Sequence, residues 1–273
     1  MIRAHLLLLT GVIVLALCTS AVAQPLWVDR TDSPSVSLEF LRPNLDGDAD
    51  LAALSAVWTL SGRTRVNDVW SFVGAVPYSH FDIENAQAST SIGNIYVGAE
   101  AHHPDADIFA EIGLRLPTAQ EDEAGALAAG QLTDLVDRME AFVSDAVPVT
   151  LAFNYRRQDE AGFISRVRAG MSLWAPVGDR DDEEAFLVYG GQVGYSPASV
   201  RVLAGVTGRW ILTEDTDGIA EATFHQLGVT GGPSFGRFHP ALHLRMPLDE
   251  DLLDVVDFVW GLSVTVSEGG DGA

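Results

Sequence analysis

The segment RFHPALHLRMPL, Arg237 to Leu248, decides the fold. Phe238, Pro240, Leu242, Leu244, Met246 and Leu248 fall on one face at a two-residue step, and Arg237, His239, Ala241, His243 and Arg245 fall on the other. Successive side chains of a strand point to opposite faces, so this is a strand with one apolar and one basic, polar face. The same division recurs along the chain. Val200, Val202, Ala204, Val206, Gly208, Trp210 and Leu212 oppose Ser199, Arg201, Gly205, Thr207 and Arg209. Phe163, Val167, Ala169, Met171 and Leu173 oppose Arg166, Arg168, Gly170 and Ser172. Near the end, Val256, Phe258, Trp260, Leu262, Val264 and Val266 oppose Asp257, Gly261, Ser263 and Thr265. Less regular runs over 35–42, 53–65, 68–79, 91–102, 107–117, 147–157, 184–196 and 222–235 bring the strands to about twelve, an even number.

The connections alternate as well. Short turns lie near Val66-Asn67, His103-Pro104-Asp105, Gln158-Asp159-Glu160, Pro197-Ala198 and Gly236, while 43–52, 80–90, 118–146, 177–183, 214–221 and 249–255 are longer and acidic. Strands of about ten residues with short turns on one rim and long loops on the other predict a transmembrane antiparallel up-and-down β-barrel. Closure satisfies every backbone group in the bilayer without exposing an edge. A secreted β-sandwich would alternate too. Its core, however, needs large apolar groups facing one another, and here the polar faces carry arginine and glycine. Aromatic residues near strand ends (Trp58, Trp70, Tyr78, Tyr155, Trp174, Tyr189, Tyr195, Trp210, Trp260) suit interfacial girdles.

Composition agrees with export. The 273 residues hold 38 Asp and Glu against 16 basic residues, all arginine, for a net charge of -22. So acidic a surface excludes nucleic acid as a partner. The single cysteine, Cys18, excludes a disulfide framework. Arg3 and His5 precede the apolar run Leu6–Leu17, and Ala21-Val22-Ala23 follows. That order reads as a signal peptide over 1–23 cleaved near Ala23, leaving a barrel domain over 24–273 with strands over about 35–266 and a short acidic tail. The expected location is the bacterial outer membrane, with outer-membrane lipid, a small-molecule solute and the barrel-assembly machinery as partners. No cofactor is called for.

The run Ser91-Ile92-Gly93-Asn94-Ile95-Tyr96-Val97-Gly98-Ala99 and the later Gly113-Leu114-Arg115-Leu116-Pro117-Thr118 resemble segments of the meta-pathway phenol-degradation-like transporters. In that family a Gly-Asn (or Gly-Asp) strand precedes a strand ending in Leu-Pro-Thr. The resemblance covers the middle third of the chain and implies a monomeric barrel that takes up small, often hydrophobic or aromatic molecules. The chain departs from common barrel practice in running past Val266 into Ser267–Ala273 instead of ending on an aromatic residue.

The alternation assigns Arg63, Arg65, Arg115, Arg156, Arg166, Arg168, Arg201, Arg209, Arg237 and Arg245 to the lumen, with Glu39, Glu100, Glu111 and Asp257 as its acids. Asn94, Asn154, Gln192 and Gln226 join them. Two readings stay open. The arginines form a constriction that selects anions, as charged rings do in pores, or they pair with acids and fill a narrow barrel. The long loop 118–146 carries apolar residues at helical steps (Leu132, Leu135, Val136, Met139, Phe142, Val143), which predicts a helix over 126–143 without saying whether it folds into the lumen or outward. The remaining acidic loops read as solvated faces. No catalytic motif appears, and His80 and His225 are the only plausible bases for an outer-rim hydrolase. A closed barrel acting as a structural or adhesion module through its loops is the other alternative to a channel.

Overall fold

A computed structural model describes residues 34–45, 55–83, 87–103, 106–178, 182–197, 199–213 and 221–268. The expected signal peptide, Cys18 and the tail beyond 268 lie outside them. The strands are β1 (Ser35–Leu45), β2 (Ala56–Arg65), β3 (Trp70–Phe81), β4 (Ser89–Ile92), β5 (Ile95–His102), β6 (Ile108–Leu116), β7 (Ala146–Gln158), β8 (Phe163–Pro176), β9 (Glu184–Tyr195), β10 (Val200–Ile211), β11 (Thr223–Pro233), β12 (Phe238–Pro247) and β13 (Val256–Ser267). All pair antiparallel with their neighbours. β1 meets β13 at Ser35 opposite Ser267, and β2 pairs with both β1 and β3, which closes the ring. β4 and β5 both pair with β3 and are the two halves of one strand broken at Gly93-Asn94, so the barrel has twelve strands.

The barrel is inside-out relative to a soluble domain, because its outer face meets hydrocarbon and its inner face does not. Leu38, Leu60, Phe72, Val167, Leu242, Leu244 and Leu262 are exposed on the outside, while Ser37, Glu39, Arg63, Arg168, His243, Arg245 and Ser263 are buried within. Two sequence expectations fail locally. Trp174 does not join an outer girdle: it faces inward and its ring lies 4.5 Å from that of Phe186, with Val143 and Ala146 alongside. At the outer end of β13 the register slips, pairing Leu45 with Val256 and Asn44 with Phe258. The slip turns Val256 into an apolar cluster with Leu41, Val57, Leu127 and Phe142. It leaves Asp257 exposed, accepting a hydrogen bond from Asn44 Nδ2 at 2.8 Å, and not in the lumen.

Between β6 and β7 the chain forms a 3-10 turn (Glu121–Glu123), helix α1 (Ala124–Thr133), a single turn α2 (Leu135–Arg138) and a second 3-10 turn (Met139–Phe142). The predicted helix over 126–143 is therefore present but divided, and it folds into the barrel. α1 packs on β3 and β2, and α2 reaches across to β10 and β11. A further turn, α3 (Glu250–Leu253), sits in the last long loop.

Candidate functional site

The inward loop is anchored to the wall on one side and charged on the other. Its anchor is Asn94, whose side chain is fully buried. Asn94 Nδ2 donates to the carbonyls of Glu140 (3.1 Å) and Val143 (2.6 Å), while Oδ1 accepts from the backbone N–H groups of Thr118 and Ala119 at 3.0 Å each. Thr118 Oγ1 donates to the Gly93 carbonyl at 2.6 Å and accepts from Ile95 N at 3.1 Å. A side chain at Gly93 would meet the Ala141 carbonyl and the Phe142 ring, so the strand must be bare where the loop passes. Phe142 packs against Gly130 of α1 on its other face. Ser79 Oγ donates to the Ala126 carbonyl at 2.7 Å and completes this side.

The opposite side is held by charge. Asp134, Asp137 and Glu140 recur at three-residue steps, which places them along one stripe of a helical turn. Arg245 Nη1 lies 2.9 Å from Asp134 Oδ1 and 3.6 Å from Asp137 Oδ2, and its Nη2 lies 2.8 Å from Glu39 Oε1. Arg209 Nη2 donates to Glu140 Oε2 at 2.6 Å and Nε donates to the Val136 carbonyl at 3.1 Å. Arg115 Nη2 stands 3.6 Å from Glu140 Oε1, with its guanidinium over the Tyr96 ring. The loop's own Arg138 bridges Asp134 and Glu39. Burial pushes the Glu140 carboxyl up, but Arg209 and Arg115 outweigh burial and hold it below the ordinary glutamate range. Burial likewise opposes charge on Arg138, yet Asp134 and Glu39 raise its pKa and keep it protonated. Taken alone a buried ion pair adds little stability, but removing one member leaves an uncompensated charge that costs about 3–5 kcal/mol.

The charges sort by depth. In the outer half, the guanidiniums of Arg115, Arg138, Arg209 and Arg245 match the carboxylates of Glu39, Asp134, Asp137 and Glu140 one for one. In the inner half, Glu100 pairs with Arg63 (3.0 Å) and His102 (2.8 Å), and Glu111 takes Arg168 Nη1 at 2.9 Å and Asn154 Nδ2 at 2.9 Å. Arg156, Arg166 and Arg201 also face the lumen at this level, so among the described wall residues the inner half carries more positive than negative charge. Gln192 lies opposite Arg166 in the β8–β9 register and is buried.

Of the ten arginines assigned to the lumen by alternation, Arg63, Arg115, Arg166, Arg168, Arg209 and Arg245 are buried inside, and Arg156 and Arg201 are half-buried. Arg65 and Arg237 are exposed on the short-turn rim, where Arg65 pairs with Asp68 at 3.0 Å. Strand alternation finds which face a residue takes but not whether it lies above or below the last turn of the wall. Sequence reasoning also passed over Asp134, Asp137, Arg138 and Glu140 as partners of the wall. The three-residue spacing of Asp134, Asp137 and Glu140 was the available signal. Of the two candidate bases, His80 faces outward near the long-loop rim. His225 lies on the outer face between Tyr189 Oη (2.7 Å) and Asp249 Oδ1 (3.3 Å). Both stand apart from the lumen.

No family model and no curated protein matches the sequence. Solved structures do match in fold. An outer-membrane channel from Pseudomonas putida F1 aligns with a TM-score of 0.58 at 12% identity, over 90% of this chain and 100% of that one. The NanC porin aligns at 0.51 with 7% identity, over 86% and 100%. LpxR from Salmonella typhimurium aligns at 0.50 with 11% identity, over 86% and 100%. The chain has the fold of bacterial outer-membrane β-barrels.

Proposed function

We propose that the protein is an outer-membrane channel for a small anionic solute, closed in the conformation described by its own inward loop. The observation that carries this reading is the bond between the loop's carboxylates, Asp134, Asp137 and Glu140, and the wall arginines, Arg115, Arg209 and Arg245. A barrel that needed only filler could use neutral polar groups. One that closes and reopens benefits from a loop held by a few strong, exchangeable contacts. The inner-half wall is built largely of arginine, Arg63, Arg156, Arg166, Arg168 and Arg201, which supports selection of anions once the loop has moved, since charged rings set the sign of the permeating ion. Export by the signal peptide over 1–23, residence in the outer membrane and insertion by the barrel-assembly machinery complete the reading.

We assign the finer family on the same residues. Gly93-Asn94 and Leu116-Pro117-Thr118, which carry the resemblance to the meta-pathway phenol-degradation-like transporters, form the root of the inward loop. A second reading, a closed barrel that presents its acidic loops as a binding or structural surface, is favoured by the burial of nearly every polar group along the wall.

Planar-bilayer recordings separate the two readings. The refolded protein is expected to be silent at neutral pH. A variant in which 124–142 is replaced by a short Gly-Ser link is expected to give discrete openings, with a reversal potential favouring anions under a salt gradient. A variant that is inserted and β-rich by circular dichroism yet silent overturns the channel reading and leaves the closed barrel.

A further inference from the structure

The two sides of the inward loop are held by different chemistry, and this bears on what could release it. On the β3–β5 side the contacts are apolar and backbone: Phe142 against Gly93 and Gly130, the four hydrogen bonds of Asn94, and Ser79 to Ala126. On the β10–β12 side they are ionic: Glu140 with Arg209, and Asp134 and Asp137 with Arg245. Arg115 adds a third guanidinium near Glu140. Within this cluster Arg209 Nη1 and Arg115 Nε are buried and have no hydrogen-bond acceptor among the described residues, so the loop leaves part of the guanidinium surface unsatisfied.

We infer that the loop occupies a binding site for small polycarboxylates, its Asp134-Asp137-Glu140 stripe standing where a soluble di- or tricarboxylate would bind Arg115, Arg209 and Arg245. Replacing one carboxylate by another keeps every guanidinium paired, whereas pulling the loop away without a replacement strands buried charge. A flexible polyacid can also offer oxygens to Arg209 Nη1 and Arg115 Nε, which the loop does not reach. Binding displaces the loop's carboxylates; Arg138 then leaves Glu39, which keeps Arg245, and Asn94 retains the root, so the loop swings about its β3–β5 anchor. Simple salt does not do the same, because buried pairs are screened far less than exposed ones. This inference deepens the channel reading by naming its ligand class and its opening signal, but loop release can be read without any conduction.

The test is tryptic cleavage after Arg138, a bond buried in the seated loop, in the full refolded protein in detergent micelles. The probe is tricarballylate, which carries three carboxylates and chelates metals weakly, against sodium chloride at equal ionic strength. Tricarballylate is expected to speed cleavage at Arg138 at least tenfold. In Arg209→Gln the rate is expected to lose its dependence on tricarballylate whatever its basal value. Asp137→Asn combined with Glu140→Gln is expected to be cut rapidly without any probe. An unchanged wild-type rate, or equal acceleration by sodium chloride, overturns the inference. Conductance of the loop-shortened variant is measured alongside. If that variant conducts while tricarballylate leaves cleavage unchanged, the ligand class is wrong and the channel stands. If tricarballylate releases the loop but no variant conducts, the polycarboxylate site stands and the channel reading falls.

Discussion

Asn94 and Thr118 hold the two ends of one loop at a single point on the wall. The Thr118 N–H donates to Asn94 Oδ1 at 3.0 Å, and Asn94 Nδ2 turns the other way to the Val143 carbonyl at 2.6 Å, where the loop returns. Entrance and exit are thus joined through one side-chain amide, at the break that separates β4 from β5. At the interruption the Gly93 N–H still donates to the Pro77 carbonyl of β3 at 3.0 Å, and regular pairing resumes only at Tyr96 opposite Ala75. The backbone donors and acceptors freed there are taken up by the loop instead: Asn94 N donates to the Ala141 carbonyl at 2.6 Å, and Gly93 O accepts from Thr118. The defect in the sheet is the socket for the loop.

Replacing Asn94 by alanine takes this partner from the Ala119 N–H and from the Glu140 and Val143 carbonyls, while the Thr118 N–H keeps the Leu116 carbonyl at 2.8 Å. Each unsatisfied group costs about 1–3 kcal/mol before relaxation. The expected result is a folded, heat-modifiable barrel whose loop amides over 124–142 exchange with deuterium at least tenfold faster, while strand amides are unchanged. Uniform loss of protection across the barrel would show that Asn94 supports the wall rather than the loop.

A methyl group at Gly93 has nowhere to go. Its Cβ would lie 2.2 Å from the Ala141 carbonyl oxygen and 2.9 Å from the Phe142 ring, and a backbone atom cannot step aside as a flexible side-chain end can. Gly93→Ala is therefore expected to unseat the loop and to expose the bond after Arg138 to trypsin, with barrel migration on unheated gels preserved. Protection of that bond equal to wild type would contradict the close approach.

The pH dependence follows from Glu140. Its carboxyl is held below the ordinary value of 4.5 by Arg209 and Arg115 against the opposing effect of burial. A depressed pKa in the seated state means the contact contributes fully above the free value and is lost as pH falls through the lower, seated one. The Glu140 contribution to loop seating is thus constant from pH 8 to 5 and disappears only in stronger acid. Wild type and Glu140→Gln should differ in Arg138 accessibility by a constant factor above pH 5 and converge only once the pH has fallen below the ordinary glutamate value. Convergence already at pH 6 would show that Glu140 is not the group that titrates.

With the loop shortened, the inner half governs ion choice. Arg166→Ala in that background should move the reversal potential toward zero, since it removes one of the cations that outnumber Glu100 and Glu111. Arg168→Ala should do the same and also remove the two hydrogen bonds that Arg168 makes to Glu111, so its effect on selectivity should be accompanied by lower stability. Unchanged selectivity in both variants removes the inner arginines from the permeation path.

Much of this architecture was legible in the chain because a barrel strand writes its environment at every second residue. The division in 237–248 or 199–212 reports directly that one side meets hydrocarbon and the other does not. Where that local rule is interrupted, reading fails: the slip at Asp257 exchanges the faces of Val256 and its neighbours, and Trp174 looks like a girdle residue until its inward direction is known. Neither event leaves a mark in periodicity.

The loop is different in kind. Its apolar residues at helical steps are equally consistent with packing inside the barrel or on its rim, because a helix face only requires some apolar surface. The partners that decide the matter lie far away in sequence, Arg245 with Glu39 across 206 residues and with Asp134 across 111. Alternation, rim polarity and the placing of arginine on the polar face were therefore determined by the sequence itself, since each depends on the immediate surroundings of single residues. Whether the arginines stand open or neutralised was decided only by tertiary structure. The carboxylates that answer Arg115, Arg209 and Arg245 arrive on a loop whose direction depends on ring closure, and ring closure is a property of the whole chain.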